Sequence, residues 1–520
     1  MNKYIFKFCL AISAIGLISV GCDKQLEIEP RQSILAETAL TTRDAIDASI
    51  TGIYARLKSA RLYGRDLIAL PEALADNGFA TNKSGRLRGE AANSQGATFT
   101  TIIWTSGFAG INQINLTIDA IPKIEGISTT AANSFLGQLY FLRAMFYFEM
   151  MKVYAYIPGA VVAALDRGGV PIVLVGISNP DSAVAFKPAG RDPIDKVYSQ
   201  IVADFTLANN LLLSSASSSG AASNIANKAA AQAMLSRVNL YRKNYSEAKL
   251  WSDSCIALSG NRISTTINHV AQWRVESHPE SLFQVRYATP AENIGVNESL
   301  QTSFTTLLVA GDSSKLGGFG DLVPTLTLLT DLGITLRGGN TSTANFALPA
   351  FVASRSNDVR NELYEKGNNG RGNAKIECTK FLGKNGVPNL DNVPVIRIAE
   401  IYLNRAEIAA TVGSSVFSLT AALADLKFIK SRRYTGYTGS AQETADNALG
   451  QAALLDEILR QRRIELAFEG QRFFDLKRLG RDLIKGPHYN NVLFTDTRIL
   501  APIPQGDVDG NPNLVQNAGY

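Results

Sequence analysis

Two acidic side chains, Glu465 and Glu469, have the residue type and the spacing that acid–base chemistry needs. They lie four residues apart in the helical run LRQRRIELAFEGQRFFDLKRLGR. Because residues four apart face the same side of a helix, we expect the two carboxylates to share a face. Two carboxyl groups so placed could hydrolyse a glycosidic bond.

The neighbours of these two acids favour a structural role instead. Five of the arginines in the same run are close to these acids in sequence, namely Arg460, Arg462, Arg463, Arg472 and Arg478. A guanidinium group beside a carboxylate keeps it ionised, whereas a general acid needs a raised pKa. We therefore predict an ion-pair network around Glu465 and Glu469 and no catalytic residues.

No other pattern in the chain indicates catalysis or a cofactor. The sequence contains no phosphate-binding loop, dinucleotide fingerprint, nucleophile elbow or HExxH motif. Its histidines, His269, His278 and His488, are too scattered for a multi-histidine metal site. We predict no metal and no cofactor.

The amino terminus indicates a different chemistry, the attachment of lipid to a cysteine. Two lysines precede a short apolar run, and the small residues Ser19 and Gly21 stand just before Cys22. The run is too short for a membrane span, and the pattern resembles a bacterial lipoprotein signal. We predict a signal peptide over residues 1–21, acylation of Cys22 and a tether over residues 22–40. The alternative is an ordinary secretory signal with an incidental cysteine.

Composition describes a folded protein without a strongly charged surface. Hydrophobic residues make up 46% of the 520 residues, charged residues 19%, and the net charge is +5. These values exclude a mainly disordered chain and give no support for nucleic-acid binding. Cys255 and Cys378 are far apart in sequence and could be two buried thiols or one disulfide.

Most periodic segments of the sequence have helical periodicity, so we predict a mainly α fold in which helices position most side chains. Residues 136–154 are apolar on nearly every face, as expected for a buried helix. Residues 227–258 divide near Lys243 into two amphipathic helices that resemble a tetratricopeptide repeat. Residues 397–410 and 420–432 form a second candidate pair, and together the pairs predict a helical-repeat scaffold.

Two regions differ from this scaffold. Residues 75–96 are rich in Gly, Asn and Ser, and residues 285–395 contain many Gly, Asn and Thr with few helical periods. Long irregular segments in a folded protein are often functional, and loops on a rigid scaffold commonly carry binding residues. We predict that a binding face, if one exists, is built from these regions.

Several runs of the chain resemble the SusD/RagB family of outer-membrane nutrient-binding lipoproteins. The run ILRQRRIELAFEGQRFFDLKRLGR is similar to a family signature, and so is the closing segment LAPIPQGDVDGNPNLVQNAGY. Further matches are FLRAMFYFEMMKVY, GGVPIVL, DPIDKVYSQIVADF and VIRIAEIYLNRAE, in family order. The resemblance extends over essentially the whole mature chain.

The resemblance implies a fold and a role. It implies a tetratricopeptide-like helical scaffold with an irregular, loop-rich ligand-facing region, residues 41–270 forming an amino-terminal part and residues 271–520 a carboxy-terminal part. It implies a non-enzymatic lipoprotein on the cell surface, lipid-anchored in the outer membrane. Its implied partner is a SusC-like TonB-dependent transporter, over which it closes as a lid while a nutrient, often an oligosaccharide, is captured.

The family motifs belong to the scaffold, so they identify no ligand residue. Loop composition alone supplies the candidate ligand-binding residues, which are Asn77, Phe79, Asn82, Arg86, Phe319 and Asp321. The chain has only three tryptophans, Trp104, Trp251 and Trp273, which is few for a protein that stacks sugar rings on indoles.

Three classes of function remain open on this sequence. The first is a nutrient-binding module, for glycan or for a peptide or other small nutrient. The second is a surface glycoside hydrolase that uses Glu465 and Glu469. The third is a transporter accessory that binds no ligand of its own.

Overall fold

The computed structural model of the chain describes residues 39–213, 223–260, 262–337, 351–371 and 374–520. The predicted signal peptide, Cys22 and residues 22–38 of the predicted tether lie outside the described residues. None of the helices in the described part has the length and apolar character that a membrane-spanning segment needs.

Helices dominate the described chain, as predicted. In chain order they are α1 (Arg43–Leu57), α2 (Asp66–Leu74), α3 (Arg88–Ala91), α4 (Ile102–Ala120), α5 (Thr129–Tyr154), α6 (Pro180–Ala185), α7 (Ile194–Leu211), α8 (Lys228–Tyr241), α9 (Tyr245–Ser259), α10 (His269–Gln272), α11 (Leu300–Phe304), α12 (Leu326–Asp331), α13 (Ile398–Ala410), α14 (Leu419–Lys430), α15 (Ala441–Asn447), α16 (Gln451–Leu466), α17 (Arg472–Arg478) and α18 (Gln505–Gly510).

The two predicted helix pairs are confirmed. The chain turns between α8 and α9 at Lys243, which has a positive φ of 58°. Small residues let these helices approach closely: the Ser236 and Ser252 hydroxyls lie 2.8 Å apart across the pair. The second pair, α13 and α14, packs beside the first, where Asn404 donates to Ser236 at 3.1 Å.

The region predicted to be irregular contains short strands. In chain order the strands are β1 (Gly78–Ala80), β2 (Ser281–Val285), β3 (Leu307–Val309), β4 (Asp312–Leu316), β5 (Leu322–Pro324), β6 (Ile334–Leu336), β7 (Val352–Arg355), β8 (Tyr364–Lys366), β9 (Ile376–Cys378) and β10 (Val393–Arg397). They form two-stranded antiparallel pairs, β1–β5, β2–β10, β3–β4, β6–β7 and β8–β9. The described part of residues 285–395 therefore consists mainly of short strands, turns and short helices held on the helical scaffold.

One large apolar core joins the two halves of the chain, extending along the sequence from Ile46 to Leu514. Helix α5 supplies its centre, because residues 141–154 are all buried. Cys255 and Cys378 are separate buried thiols, which answers the question that the sequence left open. Burial raises the pKa of the Cys255 thiol to about 12, so this thiol is unreactive.

Candidate functional site

Glu465 and Glu469 lie in a buried ion-pair network, as predicted. Glu465 accepts hydrogen bonds from Arg397 at 3.0 Å and from Arg433 at 2.9 Å. Glu469 accepts two from Arg397, each at 2.7 Å, and one from Lys380 at 2.6 Å. Burial opposes the charged form of Glu465, but Arg433 and Arg397 outweigh it and hold its pKa well below the ordinary value. A carboxyl group in this state cannot donate a proton at neutral pH.

The prediction that Glu465 and Glu469 share one face of a helix is wrong. Helix α16 ends at Leu466, and the chain then turns through Phe468 and Gly470, whose φ values are 62° and 79°. Glu469 therefore lies beyond the helix that carries Glu465.

The five arginines that the sequence analysis named pair with acids other than Glu465 and Glu469. Because side chains diverge around a helix and the turn redirects the chain, they form the ion pairs Arg460–Glu457, Arg462–Asp475, Arg463–Asp331, Arg472–Asp76 and Arg478–Glu407.

The two regions predicted to carry a binding face meet in the structure. Strand β1, in the first region, pairs with β5, in the second, so that Phe79 lies opposite Val323. The backbone amide of Thr81 then donates to the carbonyl oxygen of Asp321 at 2.9 Å. A contact across more than 200 residues of sequence thus brings together the two regions that carry the candidate residues.

A cleft of about 290 Å³ opens at this junction. We call it the arginine cleft, and its wall includes Arg61, Arg65, Arg86, Arg88, Thr100 and Asp321. Arg86 connects the two regions, because it donates to Asp321 at 3.4 Å and its guanidinium carbon lies 4.8 Å from the centre of the Phe319 ring.

Acidic side chains lie beneath these arginines. Asp66 is 1% exposed and Asp321 is 2% exposed. Asp66 accepts from Arg65 at 2.7 Å, and Glu298 pairs with Arg65 at 2.5 Å and with Arg61 at 3.2 Å. Burial raises the pKa of Asp66 and of Asp321, although the neighbouring arginines partly offset it. Asp66 and Asp321 therefore lie below the arginines, whereas Glu90 in the wall and Glu298 beside it are only half-buried.

Lys485 and Tyr489 form hydrogen bonds that fix the first loop region, residues 75–96, to the scaffold. The Lys485 amine donates to the carbonyl oxygen of Ala73 at 2.8 Å and to the side-chain oxygen of Asn93 at 2.6 Å, and it also contacts the carbonyl oxygen of Ala91. Burial lowers the pKa of Lys485 to about 7. The Tyr489 hydroxyl accepts from the amide of Ala80 at 3.0 Å. These contacts fix both ends of the segment 80–91.

The six candidate residues differ in what they can contact. Asn82 is exposed and lies near the cleft, and Arg86 and Asp321 line the cleft itself. Phe319 is half-buried beneath Arg86, and the half-buried Phe79 packs its ring 5.8 Å from that of Tyr489.

Asn77 does not fit its predicted role as a ligand contact. Its side chain is fully buried, donates to Glu72 at 2.7 Å and accepts from Arg463 at 2.9 Å. Both ends of the amide are therefore used inside the protein, and we assign Asn77 to the scaffold.

A second cavity of about 550 Å³ lies on another part of the surface. Trp104, Phe108 and Phe186 line it together with residues of helix α18, and it is more apolar than the arginine cleft. None of the six candidate residues belongs to it. Within the described residues, no group of acidic, histidine or cysteine side chains is arranged to hold a metal ion.

Comparison with known families identifies the fold. The profile of the SusD family matches residues 349–520, and a profile described as "Starch-binding associating with outer membrane" matches residues 24–240. Together they match most of the chain, apart from residues 1–23 and 241–348. The chain belongs to the SusD/RagB family. The description of the second profile associates this family with the outer membrane.

Individual SusD relatives align over nearly the full length. The SusD-like protein P2 of Formosa agariphila is 24% identical, and the alignment covers 100% of both chains. A SusD superfamily crystal structure from Bacteroides thetaiotaomicron is 25% identical, has a TM-score of 0.74 and covers 92% of this chain and 100% of its own. A laminarin-binding SusD-like protein is 18% identical, with a TM-score of 0.63 and coverage of 92% and 100%, and this likeness shows the fold alone.

Sequence reasoning missed most of the cleft in this SusD-family chain. Arg61 and Arg65 stand four residues apart in RLYGRD, a spacing that could have singled them out. Arg88 lies within residues 75–96, but the composition of this region did not distinguish it as a candidate. Lys485 and Tyr489 had no local signal, because their role depends on contacts with residues about 400 positions away.

Proposed function

We propose that this protein is a non-catalytic, glycan-binding lipoprotein of the outer membrane. Family membership and the outer-membrane description of the matching profile support this assignment. The laminarin-binding protein of the same fold supports glycan as the ligand class. The ion pairs of Glu465 and Glu469 support a role without catalysis.

The single observation that carries the proposal is the arginine cleft. It lies where two polar loop regions meet, and the strand pair β1–β5 and the contacts of Lys485 hold it from behind. Binding sites on loops that a rigid scaffold positions are common, and they are largely formed before the ligand arrives.

The proposal includes an anchor and a partner. Cys22 carries the lipid, and the protein acts as the lid of a SusC-like TonB-dependent importer. Attachment to the same membrane keeps the lid near its channel at high effective concentration. We expect Cys22→Ala to remove acylation, release the protein from the membrane fraction and reduce its recovery with the transporter; unchanged membrane retention would contradict the anchor.

Binding of the purified protein to a panel of neutral and charged oligosaccharides, measured by calorimetry, tests ligand capture. We expect Arg86→Ala to weaken binding about tenfold, because it removes hydrogen bonds to a ligand and the link between the two loop regions.

Two controls locate the site. Arg481→Ala changes an arginine whose side chain is 50% exposed and whose ion pair spans 3.8 Å, so we expect no effect. Phe186→Ala alters the second cavity. Loss of binding in Phe186→Ala alone would move the site there, and failure of every oligosaccharide to bind would favour an accessory that binds no ligand.

A further inference from the structure

The wall of the arginine cleft has an unusual composition for a sugar site. Among its described residues are four arginines and no aromatic side chain. The nearest candidate platform, Phe319, is covered by the Arg86 guanidinium at 4.8 Å. Stacking of a neutral sugar ring on an exposed aromatic face is therefore not what this cleft offers, and recognition must come from hydrogen bonds and charge.

The arginines retain donors that the protein does not use. Within the described residues, the Arg61 side chain donates only through its two terminal nitrogens, and the Arg65 side chain donates through Nε and forms an ion pair with Glu298 through Nη1. Arg88 is exposed and forms no ion pair there. Planar guanidinium groups with free N–H bonds match the oxygen pairs of carboxylate and sulfate groups.

The acids of the cleft wall are less exposed than Arg88. Asp66 and Asp321 are almost fully buried and Glu90 is half-buried, whereas Arg88 is exposed, so a ligand that enters the cleft meets the Arg88 guanidinium first. In addition, the hydroxyl oxygen of Thr100 is buried in the wall and has no hydrogen-bond partner in the described structure. A hydroxyl beside unused cationic donors is suited to a ligand that carries both hydroxyl and acidic oxygens.

We infer that the arginine cleft selects acidic glycans, in which carboxylate or sulfate groups on the sugar are held by Arg61, Arg65, Arg86 and Arg88. This inference rests on the proposed function, because it specifies the class of glycan that the same site binds. Uronic-acid polymers and sulfated polysaccharides are the two sources of that chemistry.

Matched ligand pairs distinguish charge from sugar shape. The probes are oligogalacturonate and its fully methyl-esterified form, and a sulfated galactan oligosaccharide and its desulfated form. We expect at least one acidic member to bind about tenfold more tightly than its neutral partner. We also expect this preference to shrink between about 10 and about 100 mM salt, as the Debye length falls from about 30 Å to about 10 Å. The pair that shows the preference identifies the acidic group.

Arg88→Gln tests the cleft directly, because Arg88 is exposed and its loss leaves no buried acid unpaired. We expect this variant to lose about fivefold in affinity for the acidic probe, a larger loss than for the neutral one, with an unchanged melting temperature. Arg43→Gln is the matched control. Arg43 is exposed at the opposite end of α1, a helix about 22 Å long, and should bind as the wild type does.

The outcomes separate the two proposals. Equal or tighter binding of the neutral members would overturn the acidic preference and leave glycan binding in place. An acidic preference that Arg88→Gln does not reduce would place the recognition elsewhere and overturn the cleft assignment. Failure of all four probes and of neutral glycans would overturn both proposals.

Discussion

At the scale of single residues, buried cationic side chains join segments that are distant in sequence. The Arg397 side chain contacts Glu280, Glu465 and Glu469, and the Lys485 amine contacts oxygens at both ends of the segment 74–93. Each group is costly to bury, and its partners compensate for that cost only while all of them are in place. These residues therefore hold the site together without touching a ligand.

Replacing Lys485 with methionine tests this role. The substitution keeps the length of the side chain but leaves several buried oxygens without a donor, so we expect a loss of about 2 kcal/mol or more in the free energy of unfolding. Denaturant unfolding measures the loss, and hydrogen exchange should increase in residues 75–93. Lys187→Met, at an exposed position, is the control, and equal protection of the loop in both variants would contradict the role of Lys485.

Glu465→Gln tests the ion-pair network. The amide keeps the shape of the carboxylate but removes the charge that faces Arg397 and Arg433, so we expect a loss of about 3–5 kcal/mol in urea unfolding. The exposed Glu362→Gln should change stability very little. A variant of full stability would contradict the structural role and restore Glu465 as a catalytic candidate.

At the scale of elements, the β1–β5 pair is the link between the two loop regions. Only three residues of each strand take part, and Gly78 lies opposite Pro324. A Cβ atom at Gly78 would come within 2.8 Å of the Glu72 carbonyl oxygen and of the Leu322 side chain. The absence of a side chain at this position lets the strands approach.

We expect Gly78→Ala to separate β1 from β5 and cost about 1–3 kcal/mol of stability, because the carbonyl oxygen cannot move aside easily. Affinity for glycan should fall with it, since Arg86 and Asp321 belong to opposite sides of the link. Melting temperature and calorimetry measure the two effects.

Gly506→Ala provides the matched control for this substitution. A Cβ atom there would meet nothing within 4 Å, so stability and binding should be unchanged. If Gly78→Ala behaved in the same way, the strand pair would not be what aligns the two regions.

At the scale of the whole molecule, stability depends on a large apolar core crossed by buried ion pairs, and this combination predicts sensitivity to acid. Asp475 is fully enclosed, and burial opposes its charge, but Arg462 and Arg478 lower its pKa to about 2. Arg462 donates to it at 2.8 Å. A carboxylate whose pKa is lower in the folded than in the unfolded chain stabilises the fold at neutral pH and loses that effect as pH falls through the folded value.

We therefore expect Asp475→Asn to be less stable than the wild type by about 2 kcal/mol above pH 5, with the difference shrinking between about pH 4 and pH 2. Denaturant unfolding at a series of pH values measures this difference. Asp509→Asn, in the exposed helix α18, is the control. A constant difference across the whole range would show that Asp475 acts through packing and not through its charge.

Much of the scaffold was predictable from local sequence. The apolar run of α5 and the small residues of α8 and α9 have the periodicity of packed helices, and helical periodicity is a local property. The irregular composition of residues 285–395 located the loop-rich part but not its hairpins, since strands of three to five residues leave little periodic signal. Glu469 was misplaced because the turn at Phe468 interrupts a run of good helix formers.

The sequence by itself determined the family, the helical scaffold and the two regions from which a binding face could be built, because these follow from motifs, periodicity and composition. Only the tertiary structure decided that the regions meet, that Arg61, Arg65 and Arg88 share a cleft with Arg86, and that Asn77 is buried. Proximity between residues hundreds of positions apart depends on how the core packs and on which strands pair. No local pattern in the chain contains that information.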